Sequence, residues 1–275
     1  MAANSISAST VAPRAPNARV LACTASVLAL AGALALVAVL PYVATLFPDQ
    51  LARLRVPLPV FVLAQFVQAL LLLGLLAWCG LRLGRPLGLG APIVQAIACR
   101  EPVAVWSVRS LGRAALAGAA AGAVLLLLDA ALAPYTPAAA SASPAPADIA
   151  VWKRLLASFY GGITEELLCR LFLMTLIVWL CRKLAGRTAA PATAAMAWIG
   201  IVGAAVLFGL GHLPAAAGVW PLTPLVVARV LVLNCLAGIV FGWLYWRRGL
   251  EHAMLAHFSA DIVLHVIGMP AAGGA

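Results

Sequence analysis

An uninterrupted apolar stretch near the start of the sequence decides the class of fold. Residues 20–47 read VLACTASVLALAGALALVAVLPYVATLF and contain no Asp, Glu, Lys or Arg. A helix of this length exceeds the roughly 30 Å of hydrocarbon in a bilayer. Hydrophobic residues make up 65% of the 275 positions and charged residues only 9%, which is too little polar surface for a water-soluble globule. The sequence therefore predicts an integral membrane protein and excludes a soluble domain.

Six further apolar runs follow, and each has the length of a helix rather than the alternation of a strand. Helices are expected because backbone polar groups in lipid must be satisfied within the chain. The fold class we predict is all-α, a polytopic helical membrane bundle with about seven transmembrane helices. The predicted spans are 20–47, 58–80, 113–133, 151–180, 194–213, 222–246 and 252–269.

The composition between these runs suggests how the chain is divided. We expect residues 1–19 to be a disordered N-terminal tail and residues 20–133 to form N-terminal transmembrane helices. Residues 134–150 are predicted to be a Pro/Ala/Ser linker, residues 151–269 a second helical unit, and residues 270–275 a short tail. Residues 100–112, where single charges interrupt apolar positions, are expected to form an interfacial helix or loop.

The net charge is +10, from 18 Lys and Arg against 8 Asp and Glu. These basic residues lie at the ends of apolar runs and form no aromatic-interleaved stripe, so no nucleic-acid partner is expected. With the N-terminus in the cytoplasm, twelve basic residues fall in inner segments and four in outer ones, which is the asymmetry typical of cytoplasmic loops. The lipid bilayer is the expected partner, and the alanine-rich composition favours a bacterial cytoplasmic (inner) membrane.

The informative residues are the charged ones inside these runs. The fourth run contains GGITEELLCR, residues 161–170, which places Glu165, Glu166 and Arg170 near the middle of a helix. Each charged side chain at the bilayer centre costs about 2.5–3.5 kcal/mol on an insertion scale, so a compensating role is expected. The i,i+4 spacing of Glu166 and Arg170 predicts a pair on one helix face, whereas Glu165 points about 100° away and is free for other partners.

Two later runs each carry a further polar cluster. Phe208 and His212 close the fifth run, while His257 and Asp261 share one face of the seventh at i,i+4 spacing. Asp261 could serve only to fix the tautomer of His257. The three clusters together suit general-base activation of water with oxyanion stabilisation, or a metal site with an open water position; the candidate metal ligands are Glu165, His212, His257 and Asp261. Either arrangement points to hydrolysis.

Four other polar residues within or beside these runs are expected to be structural. His252 and His265 lie in no motif, and Asp129 and Arg229 are expected to be interfacial or pairing residues near the outer face. These four residues are therefore not among the predicted site residues.

The three clusters resemble the motifs of the CPBP intramembrane metalloproteases, a family named for CAAX prenyl proteases and bacteriocin-processing proteins and also called Abi-type. Its pattern is EExxxR, FxxxH and then HxxxN or HxxxD on successive membrane helices. The pattern stands here as Glu165-Glu166-x-x-x-Arg170, Phe208-x-x-x-His212 and His257-x-x-x-Asp261. The resemblance covers about residues 150–268, with an Asp at 261 where Asn is common in the family.

The resemblance implies an intramembrane endopeptidase of the metallo or glutamate type, acting on a peptide or membrane-protein substrate. By this analogy Glu165 is the base and His212 its partner in activating water. His257 and Asp261 would stabilise the oxyanion or bind a divalent metal such as zinc. Glu166, Arg170 and Phe208 would support the architecture.

Two other classes of function remain open on the sequence. One is a non-catalytic binding or immunity protein of the same fold, and the other is a proton-coupled transporter that uses the buried carboxylates. Replacing Glu165 by Gln separates the first of these from an enzyme, because the amide keeps hydrogen bonding but loses the base.

Overall fold

The computed structural model describes residues 18–103, 105–137, 149–186 and 192–268. Most of the predicted N-terminal tail, residues 138–148 of the predicted linker and the predicted C-terminal tail lie outside these residues. Arg19, which the sequence assigned to the tail, lies in the first turn of the first helix.

Every regular element among the described residues is a helix, which confirms the predicted all-α class. Residues 151–184 form one continuous helix, here called the central helix, and residues 250–267 form the last helix. The α-helices are α1 (Ala18–Leu46), α2 (Pro48–Ala52), α3 (Leu58–Gly84), α4 (Pro92–Ala98), α5 (Val105–Leu132), α6 (Val151–Phe159), α7 (Thr175–Leu184), α8 (Ala194–Gly211), α9 (Leu213–Ala217), α10 (Pro224–Arg248) and α11 (Leu250–Asp261).

Five helical segments among the described residues are long and apolar enough to cross a membrane: Ala18–Leu46, Leu58–Leu87, Val108–Tyr135, Ala194–Ala217 and Pro224–Arg248. The predicted total of seven is not confirmed. The two predicted spans outside this set correspond to the central helix and the last helix, in which regular α-helix gives way to π-helical turns. These two helices also carry the charged clusters. The less apolar helices therefore form the interior of the bundle.

The segment predicted to be an interfacial helix or loop differs from that expectation. Helix α5 begins at Val105 and continues through Arg113 to Leu132, so its first turns include Arg109 and Arg113. Both side chains are exposed. Charged side chains at a helix end reach the aqueous interface while the backbone continues the helix, and the hydropathy pattern therefore placed the start of α5 too late.

The outer surface of the bundle is apolar. Leu71, Leu116 and Leu127 are 70%, 71% and 73% exposed, and each lies on a spanning helix. Large leucine side chains exposed over whole helix faces are unfavourable in water and neutral in lipid. The exposed surface therefore agrees with an integral membrane protein.

The central helix is the packing core of the bundle. It contacts α1, α3, α8 and the last helix, and its side chains of Leu167, Leu171 and Met174 have no exposed surface. The hydroxyl of Thr164 donates to the backbone carbonyl of Gly32 in α1 at 2.9 Å. Glu166 and Arg170, in the middle of this helix, are consequently enclosed by protein and kept from the lipid.

Small residues bring α5 and the last helix into backbone contact. A Cβ at Gly118 would overlap the carbonyl group of Ala256, and one at Gly122 would lie 2.8 Å from the carbonyl oxygen of Ala260. Glycine lets neighbouring membrane helices approach this closely. This contact holds the last helix, and the polar residues on it, against the bundle.

We predict that Gly118→Val destabilises the protein by about 1–3 kcal/mol or more, because the added methyl groups force α5 away from the last helix. Thermal unfolding in detergent measures the change. Gly112→Val is the matched control, since that glycine lies in the same helix with open space around it. Equal loss of stability in the two variants would contradict the close-packed contact.

Candidate active site

Two π-helical segments of the central helix position its charged residues. Tyr160–Glu165 and Leu167–Met174 lie on either side of Glu166. π-helical turns are rare and occur frequently at functional sites. They alter the direction of the side chains relative to a regular helix, and Glu165 ends the first π-helical segment while Glu166 lies between the two.

Paired glycines in the same segment let the last helix approach the acidic residues. A Cβ at Gly161 would overlap the carboxylate of Asp261 and lie 3.1 Å from Nε2 of His257. A Cβ at Gly162 would lie 2.8 Å from the Cβ of Phe258. Larger residues at these two positions would push the polar clusters of the two helices apart.

A buried charged pair joins the central helix to an imidazole on the last helix. Nη1 of Arg170 lies 2.9 Å from Oε1 of Glu166, and these side chains are 1% and 0% exposed. The same carboxylate oxygen lies 2.8 Å from Nδ1 of His257. A carboxylate oxygen can only accept, so the imidazole carries its hydrogen on Nδ1 and its orientation is fixed.

The other imidazole nitrogen faces two more carboxylates. Nε2 of His257 lies 3.7 Å from Oε2 of Glu165 and 3.7 Å from Oδ1 of Asp261. Both distances exceed direct hydrogen-bond length and are typical of groups that share a water or a substrate atom. Glu165 is 18% and Asp261 12% exposed, so this side of the imidazole is the more open one.

Aromatic rings enclose the charged groups. Phe241 stacks on His257 with ring centroids 4.4 Å apart, and the guanidinium of Arg170 lies 4.9 Å from the ring centroid of Phe208 and 5.4 Å from that of Phe241. Nη2 of Arg170 also donates to the backbone carbonyl of Gly238 at 3.3 Å. Aromatic faces attract the cation and exclude water, which strengthens the ion pair behind them.

His212 lies at the end of α8, one helical turn after Phe208. Its ring is 4.6 Å from that of Phe208, which in turn is 5.8 Å from the ring of His257. Nδ1 of His212 lies 2.8 Å from the carbonyl oxygen of Phe208 and donates to it, so Nε2 is the acceptor of the neutral ring. His212 makes no hydrogen bond or ion pair to Glu165 or His257 within the described part of the chain.

The predicted pairing within the central helix is confirmed, since Glu166 and Arg170 form the i,i+4 ion pair. The tautomer-fixing role suggested for Asp261 belongs instead to Glu166, which holds Nδ1 of His257. Asp261 lies at the opposite nitrogen. The sequence could not show this, because it does not specify which residues of separate helices face each other.

Phe241 and Gly238 are site residues that sequence reasoning missed. Both lie in α10, a plain apolar helix, and a phenylalanine or glycine there is indistinguishable by type from its neighbours. Thr175 and Tyr245 were also missed: their hydroxyls lie 2.7 Å apart, and that of Thr175 donates to the carbonyl of Arg170 at 3.2 Å. This contact ties α10 to the end of the second π-helical segment.

The candidate metal ligands do not form a ready metal site. Over the described ranges, no group of three or more His, Cys, Asp or Glu side chains is placed to hold one ion. Catalytic zinc usually takes three protein ligands at about 2.0–2.3 Å and a water. Nε2 of His257 with Glu165 and Asp261 supplies the right atom types, but His212 makes no hydrogen bond or ion pair with these three residues in the described part of the chain.

Of the four residues expected to be structural, Asp129, Arg229 and His252 have side-chain partners, while His265 is joined through its backbone carbonyl. Arg229 pairs with Asp129 through Nε at 2.8 Å and Nη2 at 2.7 Å. His252 contacts the hydroxyl of Ser110 in α5 at 2.5 Å, and the backbone carbonyl of His265 accepts from Arg154 at 2.9 Å. The pairing expected of Asp129 and Arg229 is therefore confirmed.

The fold and this site define a class of protein: a helical integral membrane protein with carboxylates, imidazoles and a guanidinium clustered inside the bundle. Residues 147–263 match the family model of the type II CAAX prenyl endopeptidases, Rce1-like. The resemblance seen in the three motifs is thereby confirmed for this C-terminal segment, which contains every residue of the cluster. No curated protein and no solved structure matches the chain.

The family match bears on the activity of the protein. It indicates an intramembrane protease, and hence a hydrolase, carried by residues 147–263. Helices α1, α3 and α5 precede the matched segment. In the structure, α1 and α3 pack on the central helix and α5 on the last helix, so they enclose the two helices that bear the cluster.

We predict that Arg170→Met lowers stability by about 3–5 kcal/mol, because the buried carboxylate of Glu166 then loses the guanidinium that pairs with it. The double variant Glu166→Gln, Arg170→Met should lose less than the single variant. Thermal unfolding of the set in detergent gives the coupling between the two residues.

Arg82→Met is the control for a generic effect of removing an arginine, since Arg82 is exposed at the end of α3. It should change stability by less than about 0.5 kcal/mol. Losses at Glu166 and Arg170 that simply add would contradict a buried ion pair.

Proposed function

We propose that the protein is an intramembrane endopeptidase that hydrolyses a peptide bond in a peptide or membrane-protein substrate. The observation that carries the proposal is the arrangement around His257. One imidazole nitrogen is held by Glu166 and Arg170, while the other faces Glu165 and Asp261 at 3.7 Å. A packing salt bridge would need only the first of these contacts.

The charge balance of the cluster favours a protonated His257. Glu165, Glu166 and Asp261 bring three acidic groups together around a single arginine, and proximity to carboxylates stabilises the imidazolium. Its Nε2 hydrogen is then directed into the more open side of the site. A fixed donor of this kind can stabilise the negative oxygen that develops on a peptide carbonyl.

Glu165 is the base in this mechanism. Water beside its carboxylate loses a proton to it while the water oxygen attacks the carbonyl carbon of the substrate. His212 orients the same water by accepting a hydrogen bond at Nε2, the nitrogen left free by its bond to the carbonyl of Phe208. In this proposal the water and the scissile group bind between Glu165 and His212, which make no hydrogen bond to each other among the described residues.

The second step returns the proton. The tetrahedral oxyanion is stabilised by Nε2–H of His257. Asp261 lies beside this group, with its Oδ1 3.7 Å from Nε2. Glu165 passes the proton that it took from water to the amide nitrogen, the carbon–nitrogen bond breaks, and an amine and a carboxylic acid leave. Glu166 and Arg170 act by positioning His257 and take no part in bond breaking.

No step of this mechanism passes through a metal, because the described donors do not converge on one point. The zinc hypothesis would require His212 and the residues around His257 to approach one another. Zinc would supply Lewis-acid activation of the same water.

We further propose a location in the bacterial cytoplasmic membrane with the N-terminus inside. The support is the distribution of basic residues. Arg82, Arg247 and Arg248 lie at the ends of α3 and α10, at the same end of the bundle as the first turns of α11, and by the positive-inside rule this end faces the cytoplasm. His212 then lies toward the outer face.

Glu165→Gln should abolish cleavage, with a loss of at least about 10²–10⁴-fold. Cells expressing each variant supply membranes, and mass spectrometry maps the new N-termini of membrane proteins and of added prenylated and unprenylated test peptides. Glu101→Gln is the matched control, because Glu101 is exposed between α4 and α5, and it should cleave normally. Undiminished cleavage by a folded Glu165→Gln protein would remove the assignment of the base.

Chelation separates the metal-free mechanism from the zinc mechanism. We expect purified protein to keep its activity after dialysis against a strong chelator, and to contain much less than one equivalent of zinc. Metal analysis and a cleavage assay before and after dialysis make the measurement. Loss of activity that returns on adding zinc would contradict the metal-free mechanism and support the family's metallo form.

A further inference from the structure

A cavity of about 350 Å³ opens at the basic end of the bundle, where α3 and α10 end. Its polar lining comes from Arg85, Gln95, Trp246, Arg247 and Arg248. None of the predicted site residues lines it. The cavity is within the usual volume range of small-ligand sites, about 300–1,000 Å³.

The three arginines of this cavity have no carboxylate partner in the part of the chain that the structure describes. All three side chains are exposed, and the guanidinium of Arg247 lies 5.4 Å from the ring centroid of Trp246. By contrast, Arg170 and Arg229 each pair with a carboxylate. Three cations around one cavity repel each other, so an anion bound between them would be stabilised.

Glu251, which follows the cavity-lining Gly249 by two residues, makes its hydrogen bond to α4. Glu251 lies in the first turn of α11, and its Oε1 accepts a hydrogen bond from the backbone N–H of Val94 at 2.8 Å. This bond ties the start of α11 to α4. The carboxylate therefore serves the packing of the cavity wall and leaves the arginines to an external anion.

The wall of the cavity is fixed by backbone contacts. Gly249 has φ 99°, and a Cβ there would overlap the ring of Pro92. The N–H of Leu250 donates to the carbonyl of Gly90 at 3.0 Å. Because only glycine adopts this backbone readily in so little space, the loop before α4 is held against the turn between α10 and α11, and the arginines are presented on a defined frame.

The position of the cavity along α3 and α10 indicates which class of anion can reach it. α3 and α10 are apolar enough to span a membrane, and the cavity lies where they leave the hydrocarbon. Tryptophan at this level is typical of the lipid headgroup region. Planar guanidinium groups match the oxygens of a phosphate, and basic pockets between membrane helices bind anionic headgroups.

We propose that this cavity binds the phosphate headgroup of an anionic membrane lipid, through Arg85, Arg247 and Arg248. The lipid tails lie along the apolar faces of α3 and α10, and Trp246 packs at the level of the glycerol. This binding site is separate from the proposed hydrolysis and does not depend on it.

Native mass spectrometry of the full-length protein in detergent tests the proposal with single lipid molecules. The probes are phosphatidylglycerol and phosphatidylcholine with identical tails. We expect the wild type to prefer phosphatidylglycerol, and Arg247→Gln with Arg248→Gln to weaken that binding about thirtyfold, since each arginine beside an anionic headgroup contributes about a factor of five. Phosphatidylcholine binding should not change.

Arg82→Gln with Arg109→Gln is the matched control, because both arginines are exposed on helices at the same end but do not line the cavity. This variant should keep the wild-type preference. Equal weakening in the two double variants would overturn the proposal and assign the effect to general surface charge. If the first double variant unfolds early, Arg85→Gln replaces it, with an expected loss of about fivefold.

Inorganic phosphate distinguishes the two sources of the same chemical group. We expect it to compete only weakly, because it lacks the lipid tails. Displacement of phosphatidylglycerol by inorganic phosphate at similar concentration would overturn the lipid assignment in favour of a soluble anion. A wild type that shows no preference for phosphatidylglycerol would overturn the site itself.

Discussion

The carboxylate of Glu166, held between the guanidinium of Arg170 and the imidazole of His257, is the interaction on which the rest of the structure depends. An unpaired charge at this depth would be costly, and each of the three groups removes part of the cost of the others. The contact spans the central helix and the last helix. It therefore fixes the ring of His257 and directs the second nitrogen toward Glu165 and Asp261, which is where the proposed chemistry takes place.

Much of the fold follows from local hydropathy, and the errors occur where packing overrides it. The runs 20–47 and 222–246 fall within two residues of helices α1 and α10, because an apolar stretch in lipid has few alternatives to a helix. The early start of α5 and the π-helical turns of the central helix carry no comparable signal. The first of those turns contains the glycines at 161 and 162, and their close contact with the last helix is a property of the assembled bundle.

The candidate site was predictable to the extent that its contacts lie within one helix. The spacing of Glu166 and Arg170 gave their pairing, whereas the partner of Nδ1 of His257 comes from another helix and was not predicted. The role of Phe241 was also invisible, because stacking on an imidazole requires the register between α10 and the last helix. The rare polar residues indicated which helices contact each other, and the structure shows which side chains of those helices are in contact.

Incorporation of heavy oxygen from labelled water tests the central claim most directly. Membranes containing the wild-type protein would be incubated in ¹⁸O-water, and the new carboxyl termini of the cleaved fragments analysed by mass spectrometry. Activation of water by Glu165 predicts one labelled oxygen in each new carboxyl group, and no such fragments from the Glu165→Gln protein. Fragments without the label, or labelled fragments formed equally by both proteins, would contradict the account.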